Sequence, residues 1–438
     1  MKQVNGVIVK MRLDIYMLWK KIIEVGFFHL LSANVFIQLA GFSGQIFLTR
    51  WLTVEEIGRI KVLQSFTAIF VLLATVGMNT AILQKCAEQQ GEERKRWYFL
   101  VGIKISLCSA LFLTSIVFIL ADVQLISKDR LINEAMKMYC LLIPSMVING
   151  ILVVYWQAQK KVKLLSKVQI FTKMLVLTMS IIAALFFHFQ GYIISLVLSN
   201  CITVLFCLYL VRADLKDFFK VKMEWIYVRA LLRMGLFACL TNLLGQLLST
   251  INIIMLSYMT DARTEIGYYS VAQLIIGAMM MIPQSFNGIM IPYISEKSKN
   301  INEIQKIVNT YRKRMFLLMT VMIVFVGCIV PFCIPFVFGE TYRSSVPYFY
   351  LLLAGLYFWS LYSPKGITMM SIGKIEGNFY TGIVAVIMNV ILNYIFIKEY
   401  GVLGAACANA VTYFFTIFVN HFFYQRMIKK VTRGLKYG

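Results

Sequence analysis

The sequence predicts an all-α polytopic membrane protein, with about twelve transmembrane helices in two parallel six-helix repeats and both termini in the cytoplasm. Three observations predict this class. Apolar side chains make up 60% of the 438 residues and charged ones only 14%, which leaves too little polar surface to cover a soluble globule. Hydrophobic runs long enough to cross a bilayer recur along the chain. The 43 Lys and Arg residues, against 20 acidic ones, collect on one side of these runs.

Twelve hydrophobic runs are predicted to span the membrane, each close to the 20 or so residues that a bilayer requires. Short, turn-rich links at 187–191 and 398–401 predict antiparallel hairpins between neighbouring spans. The link at 373–377 has the least sharp boundaries. The spans are predicted at 27–49, 62–84, 97–121, 138–158, 168–187, 191–211, 234–258, 266–294, 315–338, 346–372, 377–397 and 401–424.

The distribution of charge predicts which side each link faces. Of the 43 basic residues, 31 lie in the tails and in links after even-numbered spans, 9 in links after odd-numbered spans and 3 within spans. No acidic residue lies within a span. By the positive-inside rule both termini are cytoplasmic. The basic residues are dispersed over many loops, which favours contact with anionic lipid headgroups over nucleic-acid binding.

These spans divide the chain into two bundles and three cytoplasmic parts. The predicted parts are an N-terminal segment at 1–26, a six-helix bundle at 27–211, a linker at 212–233, a second six-helix bundle at 234–424 and a basic tail at 425–438.

The two bundles share sequence features at a separation that stays within one residue of 209. The tripeptide Glu-Ile-Gly occurs at 56–58 and at 265–267, and the pattern Asn-x-x-x-Gln at 34–38 recurs at 242–246. Six spans per half is an even number, so both halves enter the membrane from the same side. A parallel repeat of this kind is a transporter architecture with the substrate path between the halves. The alternative is chance similarity between two membrane sequences.

Two segments resemble a known family. Residues 52–58 resemble the "L-x-x-E-E-y-G" signature of polysaccharide repeat-unit flippases, and 389–406 resemble their "N-x-x-L-N-x-x-x-I-x-x-y-G-x-x-G-A-A" hairpin. The chain is therefore similar, over nearly its whole length, to Wzx-type proteins of the MATE-like MOP superfamily.

The resemblance implies two bundles around a central cavity in a bacterial plasma membrane. It implies transport of undecaprenyl-pyrophosphate-linked oligosaccharide from the inner to the outer leaflet by alternating access, for O-antigen or capsule synthesis. The implied partners are this lipid-linked oligosaccharide, membrane lipids, a polysaccharide polymerase and a chain-length regulator, without a cofactor.

Three lysines within predicted spans are the first site candidates. Lys104, Lys173 and Lys365 all fall in the cytoplasmic half of their spans, where an ionised side chain costs about 2.5 to 3.5 kcal/mol on insertion scales. We expect them to attract the pyrophosphate of a lipid-linked sugar. The alternative is that their ammonium groups snorkel to the headgroups. Pro364 and Gly366 flank Lys365 and are predicted to break span ten beside a cavity.

Amide side chains form stripes on several predicted spans and are the second set of candidates. They recur at helical spacing, so each stripe occupies one face. Such a face could line a path for hydroxyl-rich sugar, although buried amides also join helices, at about 0.6 kcal/mol each. For the pair at 389 and 393 this structural role is at least as strong. The path candidates are Asn34, Gln38, Gln45, Asn242, Gln246, Asn252, Gln284 and Asn287.

One histidine, His29, lies near the cytoplasmic end of span one and is a candidate for proton coupling. The alternative is an interfacial histidine without a transport role. No Cys pair with metal-site spacing and no phosphate-binding GxxxxGK[ST] loop occurs, so we predict neither a metal site nor use of ATP.

Two other functions remain open from the sequence. A MATE-like multidrug exporter would need carboxylates in its cavity to hold cations, and the spans contain none. A membrane polysaccharide polymerase would need a large external loop, and the longest outward link, 122–137, is short. Both observations favour the flippase.

Overall fold

The computed structural model of the protein describes residues 27–88, 91–216, 218–296 and 301–437. The predicted N-terminal segment 1–26 lies outside these residues. The backbone of His29 and Asn34 is described, but their side chains are not among the described parts of the chain. The described residues form α-helices and one 3₁₀ turn, with no β-strand among them. The predicted all-α class is confirmed.

The helices follow the predicted spans closely. Up to the linker they are α1 Phe27–Trp51, α2 Val54–Ala74, α3 Met78–Glu88, α4 Glu92–Asp122, α5 Arg130–Tyr139, α6 Leu142–Ala158 and α7 Val162–Leu210. After the linker they are α8 Trp225–Met259, α9 Arg263–Glu296, α10 Ile301–Phe338, the 3₁₀ turn Glu340–Ser345, α11 Val346–Ser371 and α12 Ile375–Tyr437.

Seven of the described helices are long and apolar enough to cross a membrane, or eight if α5 and α6, bent by 45° at their junction, form one span. Two of the seven, α7 and α12, each contain two predicted spans. Their backbones turn at His188 (φ 49°) and Gly401 (φ 57°), within the predicted hairpin links. The chain is a multi-pass membrane protein, and twelve spans remain a prediction.

Span two is interrupted at residues 75–77, which the sequence did not predict. Gly77 has φ +69°, and a Cβ on it would lie 1.9 Å from the carbonyl oxygen of Gly235, so only glycine fits. The carbonyl of Thr75 accepts from the backbone N–H of Met78 at 2.8 Å and from the Ser106 hydroxyl at 3.2 Å. A turn and a side chain thus both bond to the backbone at the interruption.

The break predicted in span ten is wrong. Helix α11 continues through Pro364 to Ser371. A proline removes one ladder hydrogen bond, but neighbouring side chains contact the carbonyls around it. The Thr368 hydroxyl donates to the Pro364 carbonyl, and the Asn378 amide donates to that of Gly366, both at 2.8 Å. The helix loses one ladder hydrogen bond, to the carbonyl of Ser360, and continues past it.

By its contacts, the described chain divides into two compact units. The first contains the described residues up to Phe47, Phe70–Phe118 and Met138–Cys239; the second contains Leu48–Ile69, Ile119–Lys137 and the described residues from Leu240 onwards. The second unit thus includes both the end of α1 with most of α2 and the 119–137 link. The predicted boundary of the bundles at 212–233 stays a prediction.

Within the second unit, the two copies of Glu-Ile-Gly meet. A Cβ on Gly58 of α2 would lie 2.3 Å from the carbonyl oxygen of Arg263, and one on Gly267 of α9 would lie 2.1 Å from that of Val54. Real Cβ atoms do not approach this closely, so the two helices cross backbone to backbone. The repeated glycines therefore occupy equivalent positions on either side of one helix crossing.

Candidate functional site

Lys365 lies on α11 with its side chain 8% exposed. Its ammonium nitrogen Nζ is 2.8 Å from Nδ1 of His421 on α12, while the imidazole itself is exposed. A buried ammonium is tolerated only with a hydrogen-bond partner. Here the partner is a neutral ring rather than a carboxylate.

Arg312 on α10 adds to the positive charge of this site. It acts electrostatically on both Lys365 and His421. Within the described chain, no carboxylate forms an ion pair with Lys365 or is among the groups that act on it. The cluster of Lys365, His421 and Arg312, which we call the cationic site, carries uncompensated positive charge.

A polar network lies beside Lys365 in the packed part of the second unit. The Asn287 amide donates to the Ser363 hydroxyl at 2.7 Å, and Tyr311 donates its hydroxyl proton to the Asn287 side-chain oxygen, also at 2.7 Å. Asn287 is buried. Its amide therefore joins α9, α10 and α11 and is not open to a cargo in this conformation.

Lys173, on α7, lies beside the amide stripe of α1. Its Cε and Nζ atoms are each 3.5 Å from the position that a Cβ on Gly41 would occupy. Gly41 belongs to the same helix face as Gln38 and Gln45. The side chain is half-buried. The structure thus brings a predicted cation and a predicted polar stripe together in the first unit.

Lys104 is instead held by the predicted linker. Its Nζ atom donates to the carbonyl of Val221 at 3.3 Å and lies 5.4 Å from the centre of the Phe218 ring. The same linker binds α4 through Arg94, which forms an ion pair with Glu224 at 3.0 Å. Lys104 therefore fixes the linker in this conformation.

The remaining path candidates differ in exposure. Gln38, Asn242 and Gln284 are exposed, and Gln45 and Gln246 are half-buried. None of these five amides is buried, and their place on a path stays a prediction.

Asn252 is placed differently, inside a buried hydrogen-bond network. Its side-chain oxygen accepts from the Asn393 amide at 2.8 Å, and its own amide donates to Tyr269 at 3.1 Å. Asn389 completes the network through Thr412 at 3.0 Å. These amides join α8, α9 and α12, which is the structural alternative anticipated for the pair at 389 and 393.

His421 is the functional candidate that the sequence prediction missed. The available signal was a single histidine near the cytoplasmic end of span twelve, on the same predicted side as Lys365, with Gln425 one turn further on. Sequence spacing could not pair it with a lysine 56 residues away. Only the packing of α11 against α12 shows the contact.

Solved structures of similar fold share about one residue in seven with this chain. A multidrug resistance MATE family transporter of the MOP superfamily, in an inward-facing conformation, aligns at 14% identity with a TM-score of 0.72, covering 91% of this chain and 96% of its own. The lipid II flippase MurJ, in an inward closed conformation, aligns at 14% identity with a TM-score of 0.72, covering 93% and 91%. A MOP superfamily transporter from Pyrococcus furiosus aligns at 14% identity with a TM-score of 0.57, covering 94% and 96%. At this identity the likeness establishes the fold.

Sequence comparison identifies the family. No curated protein matches the chain, but the profile of one family, described as polysaccharide biosynthesis protein, matches residues 25–298. This stretch is more than half of the chain and includes the 52–58 segment on which the resemblance partly rested. The resemblance is confirmed: the chain belongs to the polysaccharide biosynthesis protein family and has the fold of MOP superfamily transporters.

Proposed function

We propose that the protein is a flippase for undecaprenyl-pyrophosphate-linked oligosaccharide repeat units. It moves them from the inner to the outer leaflet of a bacterial plasma membrane by alternating access, for O-antigen or capsule synthesis. The family match and the MurJ-like fold support a lipid-linked cargo. The cationic site supports the pyrophosphate as the recognised group.

The observation that carries this proposal is the uncompensated charge at Lys365. A buried ammonium paired only with a neutral imidazole is poorly stabilised and gains from an anionic ligand. Phosphate oxygens are strong acceptors for such a donor. An organic cation would be repelled by Lys365 and Arg312, which disfavours the multidrug exporter.

The polar side chains of the first unit support a sugar path. Lys173 lies against the face of α1 that carries Gln38 and Gln45. Amides supply both donors and acceptors to hydroxyl groups. We expect the pyrophosphate to be held by cations while the sugar contacts such amides.

The test is a deletion strain complemented with variants of this chain, in which lipid-linked sugar is measured in each leaflet. We expect deletion to leave complete repeat units on the inner side. Lys365→Met should lower delivery to the outer face by about tenfold, since it removes a charge-assisted hydrogen bond to phosphate. Lys313→Met, which removes an exposed charge one residue beyond Arg312, is the matched control and should restore delivery.

Other outcomes would point to other functions. Truncated glycans in the deletion strain would indicate an enzyme such as a polymerase or glycosyltransferase. Normal delivery together with sensitivity to organic cations would indicate a multidrug exporter. Normal delivery by a Lys365→Met protein present at wild-type amount would remove the cationic site from the proposal.

A further inference from the structure

His421 covers the ammonium group of Lys365 on its exposed side. Lys365 is buried and His421 is exposed, with 2.8 Å between Nζ and Nδ1. The other ring nitrogen, Nε2, lies 2.8 Å from the side-chain nitrogen Nε2 of Gln425, one turn further along α12. An anion that approaches Lys365 from the exposed side therefore meets the imidazole first.

The hydrogen bond between the two side chains fixes the protonation of His421. An ammonium has three donors and no acceptor, so Nδ1 must offer its lone pair. The imidazole is then neutral, with its proton on Nε2. The Gln425 side chain, whose nitrogen is placed against Nε2, accepts that proton once its amide is turned so that the oxygen faces the ring, which is the assignment that the bond between Lys365 and Nδ1 requires. In this state the pair carries one positive charge, on Lys365.

Without an anion, the groups around His421 disfavour a second charge. Within the described chain, the charged groups that act on it are Lys365 from α11 and Arg312 from α10. The phenol of Tyr424, three residues from His421 on α12, is uncharged at neutral pH. Like charges at this distance oppose ionisation. An anion bound between the imidazole and the ammonium reverses this effect, because it attracts both.

We propose that Lys365 and His421 together bind one phosphate group of the cargo and that His421 takes up a proton when the phosphate binds. This rests on the proposed function. A phosphate oxygen replaces Nδ1 as the acceptor of the Lys365 hydrogen bond. Nδ1 then takes a proton from an acid in solution, a hydronium ion or the protonated buffer, and the new N–H group donates a hydrogen bond to a second phosphate oxygen. One N–H bond forms at Nδ1, the bond to hydrogen in the acid breaks, its conjugate base stays in solution, and no bond of the cargo changes.

The cargo makes this proton uptake measurable. A diphosphate esterified at both ends has no group that titrates near neutral pH, so protons taken up on binding come to the protein. The two negative charges of the diester then face Lys365, protonated His421 and the nearby Arg312. Because binding takes up a proton, the affinity for the cargo must rise as the pH falls. This rise covers the pH range in which His421 is protonated in the complex but not in the free protein.

The test is calorimetric titration of the full chain, in lipid nanodiscs at pH 7, with farnesyl diphosphate esterified to a single N-acetylglucosamine. Two buffers of different ionisation enthalpy give the number of protons taken up per bound probe. We expect more than about half a proton for the wild type.

Variants separate the role of His421 from that of Lys365. His421→Gln keeps an acceptor for Lys365 but cannot take up a proton, so it should bind about tenfold more weakly with no proton uptake. His421→Arg carries a permanent charge and should bind without proton uptake. His188→Asn, which removes an exposed histidine at the turn of α7, is the control and should match the wild type.

The outcomes distinguish the two proposals. Binding by the wild type without proton uptake, or undiminished proton uptake by both His421 variants, overturns the role of His421 and leaves the flippase proposal standing. If the His421→Gln protein does not fold, as judged by gel filtration, the His421→Arg protein is used instead. Undiminished proton uptake by that protein alone then overturns the role of His421. Absence of probe binding to the wild type counts against both proposals.

Discussion

Asp129 shows how a single carboxylate is used outside the spans. Its side chain is 11% exposed, and one oxygen accepts from Arg59 at 2.9 Å and from Arg263, 7% exposed, at 3.3 Å. The other oxygen accepts from the backbone N–H of Leu131 at 2.9 Å. Burial alone would raise the pKa of Asp129, but these donors outweigh it, and the pKa is lowered. One carboxylate therefore joins α2, α9 and the 119–137 link.

We predict that Asp129→Asn destabilises the protein by about 2 kcal/mol at neutral pH, because the two poorly exposed guanidinium groups lose their buried anion and keep only the more exposed carboxylates of Glu55 and Asp261. A lowered folded-state pKa means that the ionised carboxylate contributes stability above the ordinary range of an aspartate, near 4, and loses it as the pH falls through the folded value. The apparent melting temperature in detergent should therefore drop by a few degrees for the variant at pH 7.

The matched control for Asp129 is Glu134→Gln, on the neighbouring helix α5. Glu134 pairs with Arg130 at 2.9 Å, but their side chains are 52% and 78% exposed, and such pairs contribute little. The Glu134→Gln protein should have the melting temperature of the wild type at pH 7. If the Asp129→Asn protein also has the wild-type melting temperature at pH 7, the ion pairs of Asp129 with Arg59 and Arg263 contribute nothing to stability.

At the scale of residues, the sequence predicted which side chains within the spans are polar or charged better than it predicted which other side chains they contact. Lys365 stood out because a cation in a span is costly, and its part in a substrate site stays a prediction. Asn252 and Asn287 stood out by the same polar criterion, yet they bond to protein groups. Helical spacing gives the face of one helix but not its neighbour. For that reason His421 was missed and two amides were assigned to the path.

At the scale of elements, the crossing of α2 and α9 explains the family signature at 52–58. Thr53 and Glu56 form a capping box, in which the backbone N–H of Thr53 donates to the Glu56 carboxylate at 2.8 Å and that of Glu56 to the Thr53 hydroxyl at 3.2 Å. This arrangement fixes the start of α2. Gly58, one turn later, then admits the backbone of α9. Glu56, the second acidic residue of the signature, thus has a structural role.

We predict that Gly267→Ala lowers the melting temperature by several degrees, because its Cβ would lie 2.1 Å from the carbonyl oxygen of Val54 and the helices would have to separate. Gly277→Ala in the same helix is the control. No atom lies within 4 Å of a Cβ at Gly277, so alanine there should be neutral or stabilise by up to about 1 kcal/mol through helix propensity. Equal melting of the two variants would contradict the close crossing.

Helix ends were predictable where local chemistry sets them and not where packing does. The turns at His188 and Gly401 fall in links whose composition marked them. The interruption at 75–77 depends on the approach of Gly235, which lies far along the chain. The break predicted at Pro364 is wrong because the loss of one ladder hydrogen bond does not end a helix whose neighbouring turns are intact.

At the scale of the molecule, charge is sorted along the chain. The basic excess lies in the tails and in links after even-numbered predicted spans, while the cationic site lies on the same predicted side, towards the cytoplasmic ends of its helices. An anionic lipid headgroup would thus meet positive charge first at the surface and then at Lys365. This order suits a cargo that enters from the inner leaflet.

Twelve spans with both termini inside make a prediction for reporters inserted along the chain. Alkaline phosphatase is active only outside the cytoplasm, and green fluorescent protein exported unfolded is dark. We expect active phosphatase after Asp261, in an outward link, and inactive phosphatase after Lys220, in the cytoplasmic linker. A green fluorescent protein at the C-terminus should be bright. A dark C-terminal fusion together with inactive phosphatase after Lys220 would mean an odd number of spans beyond the linker. The parallel repeat requires an even number in each half, so that result would remove the two-bundle transporter architecture.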